Sequence, residues 1–242
     1  MTEFTDTSLV VSAGIMDYRT AWALQKQIAD ARAADRVPDV LLLLQHPHTY
    51  TLGRGADTGN LLLDEAERAA RQVDLVAIDR GGDTTYHGPG QLVAYPIRYL
   101  GRADPSGRLV RTDYVGYLRR LENTLIDTLG AFGVTARQEA GYTGVWVDTP
   151  YGPEKAAAIG VHVSAKGIST HGTALNVTTD LAYFDGIIPC GIHDRGVTSL
   201  HKLLGDACPP MAEVEGVFSR VFGEVFGCTM QPVTLGDLQA AI

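Results

Sequence analysis

The chain has 242 residues, 45% of them apolar, and a formal net charge of −8 at pH 7. This length suits one α/β core, and the acidic balance argues against general nucleic-acid binding, which needs basic residues to neutralise phosphates. No apolar run approaches the roughly 18 residues of a membrane-spanning helix, so we expect a single domain over residues 1–242 that binds neither nucleic acid nor membrane.

Two elements are predicted before residue 46. Apolar residues recur at helical spacing over residues 17–34, with Asp17 as the N-cap. A core strand follows over Val40–Gln45. Pro47 then interrupts the ladder before a second extended piece that reaches Gly53, and we expect the two pieces to pair or to bend around each other.

Glycine, aromatic and ionisable residues crowd into the segment Arg80–Pro96, between a predicted strand over Val73–Asp79 and its return limb Gln91–Ile97. The glycines permit positive φ angles and a close backbone approach to a bound molecule, while Arg80 and His87 offer charge and hydrogen bonds. The pattern therefore predicts a ligand-facing hairpin, although an ordinary glycine-rich turn explains the same composition. The segment lacks both the lysine of a P-loop and the helix-opening GxGxxG of a dinucleotide site.

The second half of the chain is predicted to combine helices with an antiparallel meander. After a loop over residues 101–110, a helix spans about residues 112–129, with Thr112 or Asp113 as its cap. Short strands and a last helix follow over Gly144–Val147, Ala157–Ser164, Ile168–Val177 and Met211–Phe226. Mixed or antiparallel sheets flanked by helices place the chain in the α/β class, of the α+β type.

Cys190 lies between Pro189 and Gly191, a setting that fixes and exposes a side chain. A free cysteine is more often an inert small residue, and a nucleophilic one needs a cation, because at its ordinary pKa only about 3% is thiolate at pH 7. Spacing alone does not choose among the candidate cations, which are Lys155, His87, His171 and His193. The other cysteines, Cys208 and Cys228, complete an odd set that favours a cytoplasmic protein over a disulfide framework.

Five groups of residues stand in order along most of the chain. They are His46-Pro47; Arg80-Gly81-Gly82, continuing through Tyr86-His87-Gly88-Pro89-Gly90-Gln91 to Tyr95-Pro96; Lys155 with Ala157-Ala158-Ile159-Gly160; His171-Gly172 with Ala174-Leu175-Asn176; and Pro189-Cys190-Gly191-Ile192. In these groups and in their order the chain resembles the lipoyl(octanoyl) transferase family. The resemblance implies a fold like that of the biotin and lipoate protein ligases.

The resemblance also implies the reaction and its residues. Cys190 would carry an acyl thioester, and Lys155 would lower the pKa of its thiol. Three segments would form the substrate site: Arg80, Gly81, Gly82, Asp83, Thr84, Thr85, Tyr86 and His87; Ala158, Ile159 and Gly160; and Gly172, Thr173 and Ala174. The octanoyl group would pass from octanoyl-acyl carrier protein to the target lysine of lipoyl domains, which occur in 2-oxoacid dehydrogenase E2 subunits and in glycine cleavage H protein.

An ATP-dependent lipoate- or biotin-protein ligase is the alternative function, because these ligases share the fold. Cys190 favours the transferase, since a ligase that makes an adenylate needs no thiol nucleophile. Thr173 departs from the leucine or phenylalanine that is common in the family, and this departure concerns the acyl pocket. No cofactor or metal is expected, because His46 and His48 lack a clear third ligand.

Two further features follow from the implied chemistry. An acyl carrier protein is acidic, so its docking needs a basic patch, for which Arg108, Arg111, Arg119 and Arg120 are the candidates. The oxyanion of the reaction needs N–H donors, and the backbone near Cys190–Gly191 or in the His87–Gly88 turn is a candidate source.

Overall fold

The computed structural model describes residues 6–103, 109–110, 113–191 and 195–242. It describes the backbone alone for Asp6, Arg102, Ala103, Leu109, Val110 and Cys190. The described strands are β1 (Asp6–Ile15), β2 (Asp39–Gln45), β3 (Thr49–Leu52), β4 (Asp74–Ala77), β5 (Thr84–His87), β6 (Gln91–Ile97), β7 (Arg102–Ala103), β8 (Leu109–Val110), β9 (Arg137–Glu139), β10 (Tyr142–Thr149), β11 (Gly152–Val163), β12 (Ser169–Asn176), β13 (Gly196–Val197) and β14 (Cys228–Pro232). The α-helices are α1 (Tyr18–Ala33), α2 (Glu65–Ala70), α3 (Tyr114–Ala131), α4 (Leu200–Leu204), α5 (Met211–Phe226) and α6 (Leu235–Ala241).

One large sheet organises the fold. Its strand order is β14-β1-β2-β6-β12-β11-β10-β9, and β13 pairs with β11. β1 runs parallel to β14 and β2, whereas the pairs from β2 through β6, β12 and β11 to β10 are antiparallel. A separate three-stranded sheet has the order β4-β3-β5. Since β14 joins β1, the first and last described strands lie in the same sheet.

Helices cover both faces of the large sheet. Leu41 and Leu43 of β2 belong to the core under α3 and α5, whereas Leu42 and Leu44 belong to the core under α1. Successive side chains of a strand point to opposite faces, so this alternation shows that β2 is buried on both sides. Burial on both faces explains why β2 is apolar at consecutive positions instead of alternating with polar residues.

Several predicted boundaries are confirmed. Asp17 caps α1 by accepting the Thr20 N–H at 2.9 Å, and Asp113 caps α3 by accepting the Gly116 N–H at 2.8 Å. The last predicted helix, α5, has the predicted bounds and ends where Gly227 adopts a φ of +67°. The antiparallel meander is confirmed as well, in β10, β11 and β12.

The predicted hairpin around the glycine-rich segment is wrong. β4 lies parallel to β3 in the small sheet, whereas β6 pairs with β2 and β12 in the large one. The segment between them forms β5, which pairs with β3. Gly90, at a φ of +82°, then turns the chain towards β6, and a Cβ there would approach Thr178 Oγ1 to 2.6 Å. The segment therefore connects two sheets instead of closing one hairpin.

Other expectations also need correction. β2 and β3 do not pair, since they belong to different sheets. The predicted loop over residues 101–110 contains two short paired strands, β7 and β8. The patterns do not predict β1, β14 or α6, because these elements are short or mix polar with apolar residues. Within the described ranges, no helix is both long and apolar enough to cross a membrane.

Candidate active site

The start of α1 and the strands β5, β6, β11 and β12 surround a narrow cavity. Most of the lining comes from the three segments that the family resemblance assigns to substrate. The lining residues are Tyr18, Arg80, Gly81, Gly82, Thr85, His87, Tyr95, Ala158, Ile159, Gly160, His171, Gly172, Thr173 and Ala174.

β5 divides its side chains between the cavity and the small sheet's own core. Thr85 and His87 line the cavity, whereas Tyr86 packs in a cluster with Tyr50 and Phe184. Thr84 shares the face of Tyr86, because strand side chains alternate. Thr84 and Tyr86 therefore differ from the expectation that all of Arg80–His87 faces the substrate.

The Arg80 guanidinium group ties β3 to the glycine-rich segment. Its Nη2 donates to the Thr51 carbonyl at 3.0 Å and to Thr51 Oγ1 at 2.8 Å, and its Nη1 donates to the Gly81 carbonyl at 3.1 Å. Gly160 leaves room for the side chain, since a Cβ there would lie 2.9 Å from Arg80 Cδ. Arg80 is thus a buried structural cation whose charge acts on its neighbours.

His87 is held neutral in one tautomer. Gln91 Nε2 donates to Asn176 Oδ1 at 2.9 Å and to the Tyr86 carbonyl at 3.2 Å, so Gln91 Oε1 accepts the proton of His87 Nδ1 at 2.8 Å. Burial lowers the pKa of His87 well below its usual value, and the charges of His46 and Arg80 lower it further. His87 Nε2 therefore carries a lone pair and no proton.

A second hydrogen-bonded chain lies behind the cavity wall. His46 Nδ1 donates to the Met16 carbonyl at 2.7 Å, so His46 Nε2 accepts from the Tyr95 hydroxyl at 2.7 Å. Burial lowers the pKa of His46 to about 4 and raises that of Tyr18 to about 12. These rings are neutral at pH 7 and their polar ends are engaged within the protein, which suits a wall that faces an uncharged ligand.

The buried histidines predict a loss of stability in mild acid. The unfolded chain binds a proton at each histidine below about pH 6.5, but His46 binds one in the folded state only near pH 4. The free energy of unfolding therefore falls as the pH drops through this window, by about 3 kcal/mol for His46. Urea denaturation should show a lower free energy of unfolding at pH 5 than at pH 7, and the difference should be smaller for His46→Gln than for the wild type. The same difference in both proteins would contradict the prediction.

His171 combines a cavity position with an unusual backbone. Its φ is +57°, and its N–H donates to Gln25 Oε1 at 2.7 Å. Its Nε2 donates to Asp79 Oδ1 at 2.8 Å, an atom that also accepts from Trp22 Nε1 at 3.1 Å. Burial lowers the pKa of His171, and the Asp79 hydrogen bond offsets only part of the effect. Positive φ is rare for a residue with a side chain and persists only where the surroundings hold it. The hydrogen bonds to Gln25 and Asp79 hold the His171 backbone and ring in this conformation.

Thr173 lines the cavity with its backbone. Its register partner across the sheet is Ala94, which belongs to the core under α3 and α5. Directly opposed residues of an antiparallel pair share a face, so the Thr173 side chain points into that core and away from the rings of Tyr18 and Tyr95. The Thr173 hydroxyl therefore does not lie on the face of the cavity that these rings form.

The Thr173 hydroxyl is a buried polar group without a hydrogen-bond partner among the described residues. We expect Thr173→Val to raise the free energy of unfolding by about 1 kcal/mol, because it removes an unpaired hydroxyl and keeps the shape. Thr128→Val is the matched control, since the Thr128 hydroxyl donates to the Thr124 carbonyl at 2.7 Å. Urea denaturation should show the first variant stabilised and the second destabilised; a destabilised Thr173→Val would contradict the prediction.

A wider groove opens beside the cavity and shares its wall. Gly81, Gly82 and residues 158–160 line both spaces. Lys155 and Gly191 line the groove, and Lys155 also lines a small enclosed space together with Pro189. Lys155, only 7% exposed, therefore shares a space with each chain neighbour of Cys190. The fold thus brings together the lysine and the turn that were predicted to act together.

A β-bulge turns Lys155 towards these spaces. Val145 of β10 pairs with Ala157 of β11, but the next residue, Trp146, pairs with Lys155, so Ala156 is an extra residue. Ala156 and Ala157 both lie in the core under α3 and α5. Without the extra residue Lys155 would share that core face, because it stands two positions before Ala157. The bulge therefore moves Lys155 to the opposite face, on which Ala174 of the cavity wall also lies.

Backbone contacts fix the segment that carries Cys190 at both ends. Cys190 lies in a 3-10 turn, Pro189–Gly191, and the Ile188 N–H before it donates to the Asn60 carbonyl at 2.8 Å. After the turn, β13 pairs with Glu154 and Lys155, and the Thr198 N–H donates to the Lys155 carbonyl at 3.0 Å. The main chain thus sets the approach of the Cys190 turn to Lys155.

The Asp83 carboxylate is engaged in hydrogen bonds within the protein. Its carboxylate accepts from the Asn60 side-chain amide, from the Asp57 N–H at 3.1 Å and from the Thr84 N–H at 2.6 Å. A Cβ on Gly191 would lie 3.5 Å from both Asn60 Nδ2 and Asp83 Oδ2. Asp83 and Asn60 thus support the Cys190 turn from below, and no short sequence motif pointed to Asn60.

The chain matches the family model of the lipoyl protein ligase A/B catalytic domain over residues 17–223. A curated octanoyltransferase from Chloroflexus aggregans is 49% identical over 208 residues, which cover 86% of this chain and 90% of the relative. Another, from Gloeobacter violaceus, is 44% identical over 237 residues, which cover 97% of this chain and 96% of the relative. The chain belongs to the octanoyltransferase family.

Solved structures agree with this assignment at the level of the fold. A bipartite lipoate protein ligase from Thermoplasma acidophilum superposes with a TM-score of 0.72 at 18% identity, covering 98% of this chain and 90% of that one. The curated relatives confirm the predicted family and its class of reaction, acyl transfer, and this structural likeness confirms the predicted ligase-like α+β fold.

Several candidates for the octanoyltransferase site need comment. Arg119 pairs with Glu122 at 2.6 Å, and the Arg120 guanidinium lies over the Phe226 ring at 5.2 Å, so both have partners within the protein. The Gly191 N–H donates to the Ile188 carbonyl at 3.2 Å, which uses one of the candidate oxyanion donors inside the turn. His193, Arg108 and Arg111 lie outside the described residues.

The lining residues Tyr18, Tyr95 and His171 are missing from the predicted substrate set. Tyr95 and His171 stand inside the motifs that carried the resemblance, so their presence beside the other anchors was an available signal. Tyr18 had none, because it follows the α1 cap like any first-turn helix residue, and only the packing of α1 on the sheet brings it to the cavity.

Proposed function

We propose that this octanoyltransferase family member moves an octanoyl group from octanoyl-acyl carrier protein to the target lysine of a lipoyl domain through a thioester on Cys190. The observation that carries the proposal is the position of Lys155, a buried cation that lines the spaces on both sides of the Cys190 turn. Lowering a thiol pKa from about 8.5 to about 7 takes about 2 kcal/mol of thiolate stabilisation. One ammonium group in a partly buried site can supply that much.

In the first half-reaction, the Cys190 thiolate attacks the carbonyl carbon of the carrier-bound thioester. The bond between that carbon and the carrier's sulfur breaks, and Lys155 gives its ammonium proton to the departing thiolate. The products are an octanoyl thioester on Cys190, a free carrier thiol and a neutral Lys155. The carrier thioester is already activated, so this step needs no nucleotide.

In the second half-reaction, the neutral Lys155 takes a proton from the ammonium group of the acceptor lysine. The resulting amine attacks the Cys190 thioester, an amide forms, and the Cys190 thiolate leaves while the amide nitrogen gives up its extra proton to solvent. Lys155 is then again an ammonium group beside a thiolate. A single lysine thus serves as acid in one half and as base in the other.

The cavity beside Lys155 would hold the octanoyl chain. Its neutral rings and backbone walls fit methylene groups, and burial at about 0.8 kcal/mol per methylene contributes at most about 5 kcal/mol. Two carbons more or less would change the preference by only one or two orders of magnitude, so the chain-length preference should be broad.

The natural acceptors would be the lipoyl domains of 2-oxoacid dehydrogenase E2 subunits and the glycine cleavage H protein. The whole chain would act as one catalytic domain, which is supported by the sheet that joins its first and last described strands. A cytoplasmic location suits the reaction, since a reducing compartment keeps a nucleophilic thiol free.

An acceptor assay separates this function from an ATP-dependent ligase. Purified protein is mixed with an apo lipoyl domain and either octanoyl-acyl carrier protein without ATP or free octanoate with ATP and Mg²⁺. The proposal predicts octanoylated acceptor only in the first mixture, read by intact mass. Pyrophosphate release and acceptor modification in the second mixture alone would establish the ligase instead.

A further inference from the structure

The side chain directly opposite Lys155 in the sheet is an aromatic ring. Trp146 pairs with Lys155 across β10 and β11, and Lys155 Nζ lies 4.8 Å from the centre of the Trp146 ring. Both residues are buried, with 1% and 7% of their surfaces exposed. Because a cation within about 6 Å of an indole face is attracted by the ring's quadrupole, this geometry is that of a desolvated cation–π pair.

The bulge in β11 brings Lys155 to the face on which Trp146 lies in β10. Val145 and Val147, the neighbours of Trp146, lie in the core under α3 and α5, so Trp146 points to the other side of β10. The Lys155 stem crosses β10 at Gly144, where a Cβ would lie 3.5 Å from Lys155 Cε. Lys155 is thus guided by the Gly144 backbone and ends over the indole.

A tryptophan at position 146 is energetically unfavourable in one respect. Trp146 Nε1 is buried without a hydrogen-bond partner among the described residues, and an unpaired buried donor destabilises a fold. A phenylalanine would avoid this cost while keeping an aromatic ring. Among aromatic rings, however, the indole attracts a cation most strongly. The orphan N–H is consistent with a position at which the ring face matters more than the ring edge.

We propose that Trp146 is a positioning residue for the transfer reaction: its indole face holds the Lys155 ammonium group in place beside the Cys190 turn. The inference rests on the proposed function, in which Lys155 acts as an ammonium ion in the first half-reaction. Trp146 favours that charged form and restricts its position, and it does not itself touch the reacting atoms.

Several charged groups near the pair, among the described residues, have partners of their own. Glu122 of α3 binds Arg119 and the Gly144 N–H, and Glu154 binds Lys202 at 2.9 Å. Arg195 lies over the ring of Tyr142, which in turn contacts the Trp146 ring at 5.7 Å, and Arg195 also pairs with Glu139 at 3.5 Å. Asp83, in the groove wall, is held by Asn60. Apart from the Tyr142–Trp146 ring contact, none of these interactions involves the Trp146 side chain.

The test measures the rate at which octanoyl-acyl carrier protein acylates Cys190, by intact mass, from pH 5.5 to 10. We expect Trp146→Leu to slow acylation at pH 7 by about three- to thirty-fold and to shift the alkaline limb of the profile to lower pH, with Trp146→Phe in between. Phe218→Leu is the matched control, because it removes a buried ring of the α5 core far along the chain from the site. Its profile should keep both limbs in place.

A fluorinated indole keeps the size and fold while weakening the ring's attraction for a cation. In a Trp22→Phe background, tryptophan at position 146 is replaced by analogues with increasing numbers of fluorine atoms. The inference predicts a stepwise fall in the acylation rate. Unchanged rates across this series, or Trp146 variants whose pH limbs match the wild type, would overturn it. If the wild type itself forms no adduct, the proposed function fails instead, so the two failures are distinguishable.

Discussion

Lys155→Ala should slow octanoyl transfer by about 10² to 10⁴-fold while leaving the fold intact. The substitution removes the cation that favours the Cys190 thiolate and the group that exchanges protons with both substrates. The apparent pKa of the thiol, followed by the pH dependence of iodoacetamide alkylation, should rise towards its ordinary value of about 8.5. An unchanged thiol pKa would contradict the assigned role of Lys155.

Lys155→Arg separates the two duties of the lysine. A guanidinium group keeps the positive charge but does not release its proton at accessible pH, so it can favour the thiolate yet cannot act as a base. We expect this variant to form the octanoyl adduct more slowly than the wild type, because it cannot protonate the departing carrier thiolate. It should pass the octanoyl group to the acceptor at least about 10²-fold more slowly than the wild type. Lys166→Ala, at an exposed turn, is the matched control and should transfer at the normal rate.

Gly172→Ala should destabilise the protein by about 3 kcal/mol or more. The added Cβ would overlap the carbonyl oxygen of Ala94 and approach Pro96 Cδ to 2.6 Å, both in the neighbouring strand β6. Neither group is the end of a flexible side chain, so β12 would have to move away from β6. Since Gly172 also forms part of the cavity wall, this movement would change the shape of the proposed acyl site.

Gly216→Ala provides the matched control for this glycine. Gly216 lies in the interior of α5, and a Cβ there would meet nothing within 4 Å. Alanine in an exposed helix interior stabilises by up to about 1 kcal/mol relative to glycine. Urea denaturation should therefore show opposite shifts for the two Gly→Ala variants, and a Gly172→Ala protein as stable as the wild type would refute the steric argument.

A helix or strand was predictable where neighbouring residues in the sequence define its two ends. α5 begins after two prolines and ends at Gly227, and these neighbours define both boundaries within the sequence itself. The strands that β5 and β6 each pair with were not predictable in the same way. A strand, a glycine-rich turn and another strand look like a hairpin in sequence, and only the distant partners β3, β2 and β12 show that two sheets are involved.

In the candidate site, too, some features were predictable from short motifs and others depend on which strands pair. Gly160 and Gly172 came from motifs, and the structure explains them by close contacts with Arg80 and β6. The orientation of Lys155 depends on one extra residue among three consecutive alanines, and nothing in that composition marks a bulge. The part played by Trp146 follows from this register, so it becomes visible only when β10 and β11 are paired.

The central claim is that Cys190 carries the octanoyl group between the two substrates. The most direct measurement is intact mass spectrometry of the protein after mixing with octanoyl-acyl carrier protein, followed by peptide mapping of the adduct. The account predicts one octanoyl group, sensitive to hydroxylamine, on the peptide that contains Cys190, and none in Cys190→Ala. An octanoyl thioester that persists in Cys190→Ala, or acceptor octanoylation by that variant at the wild-type rate, would contradict it.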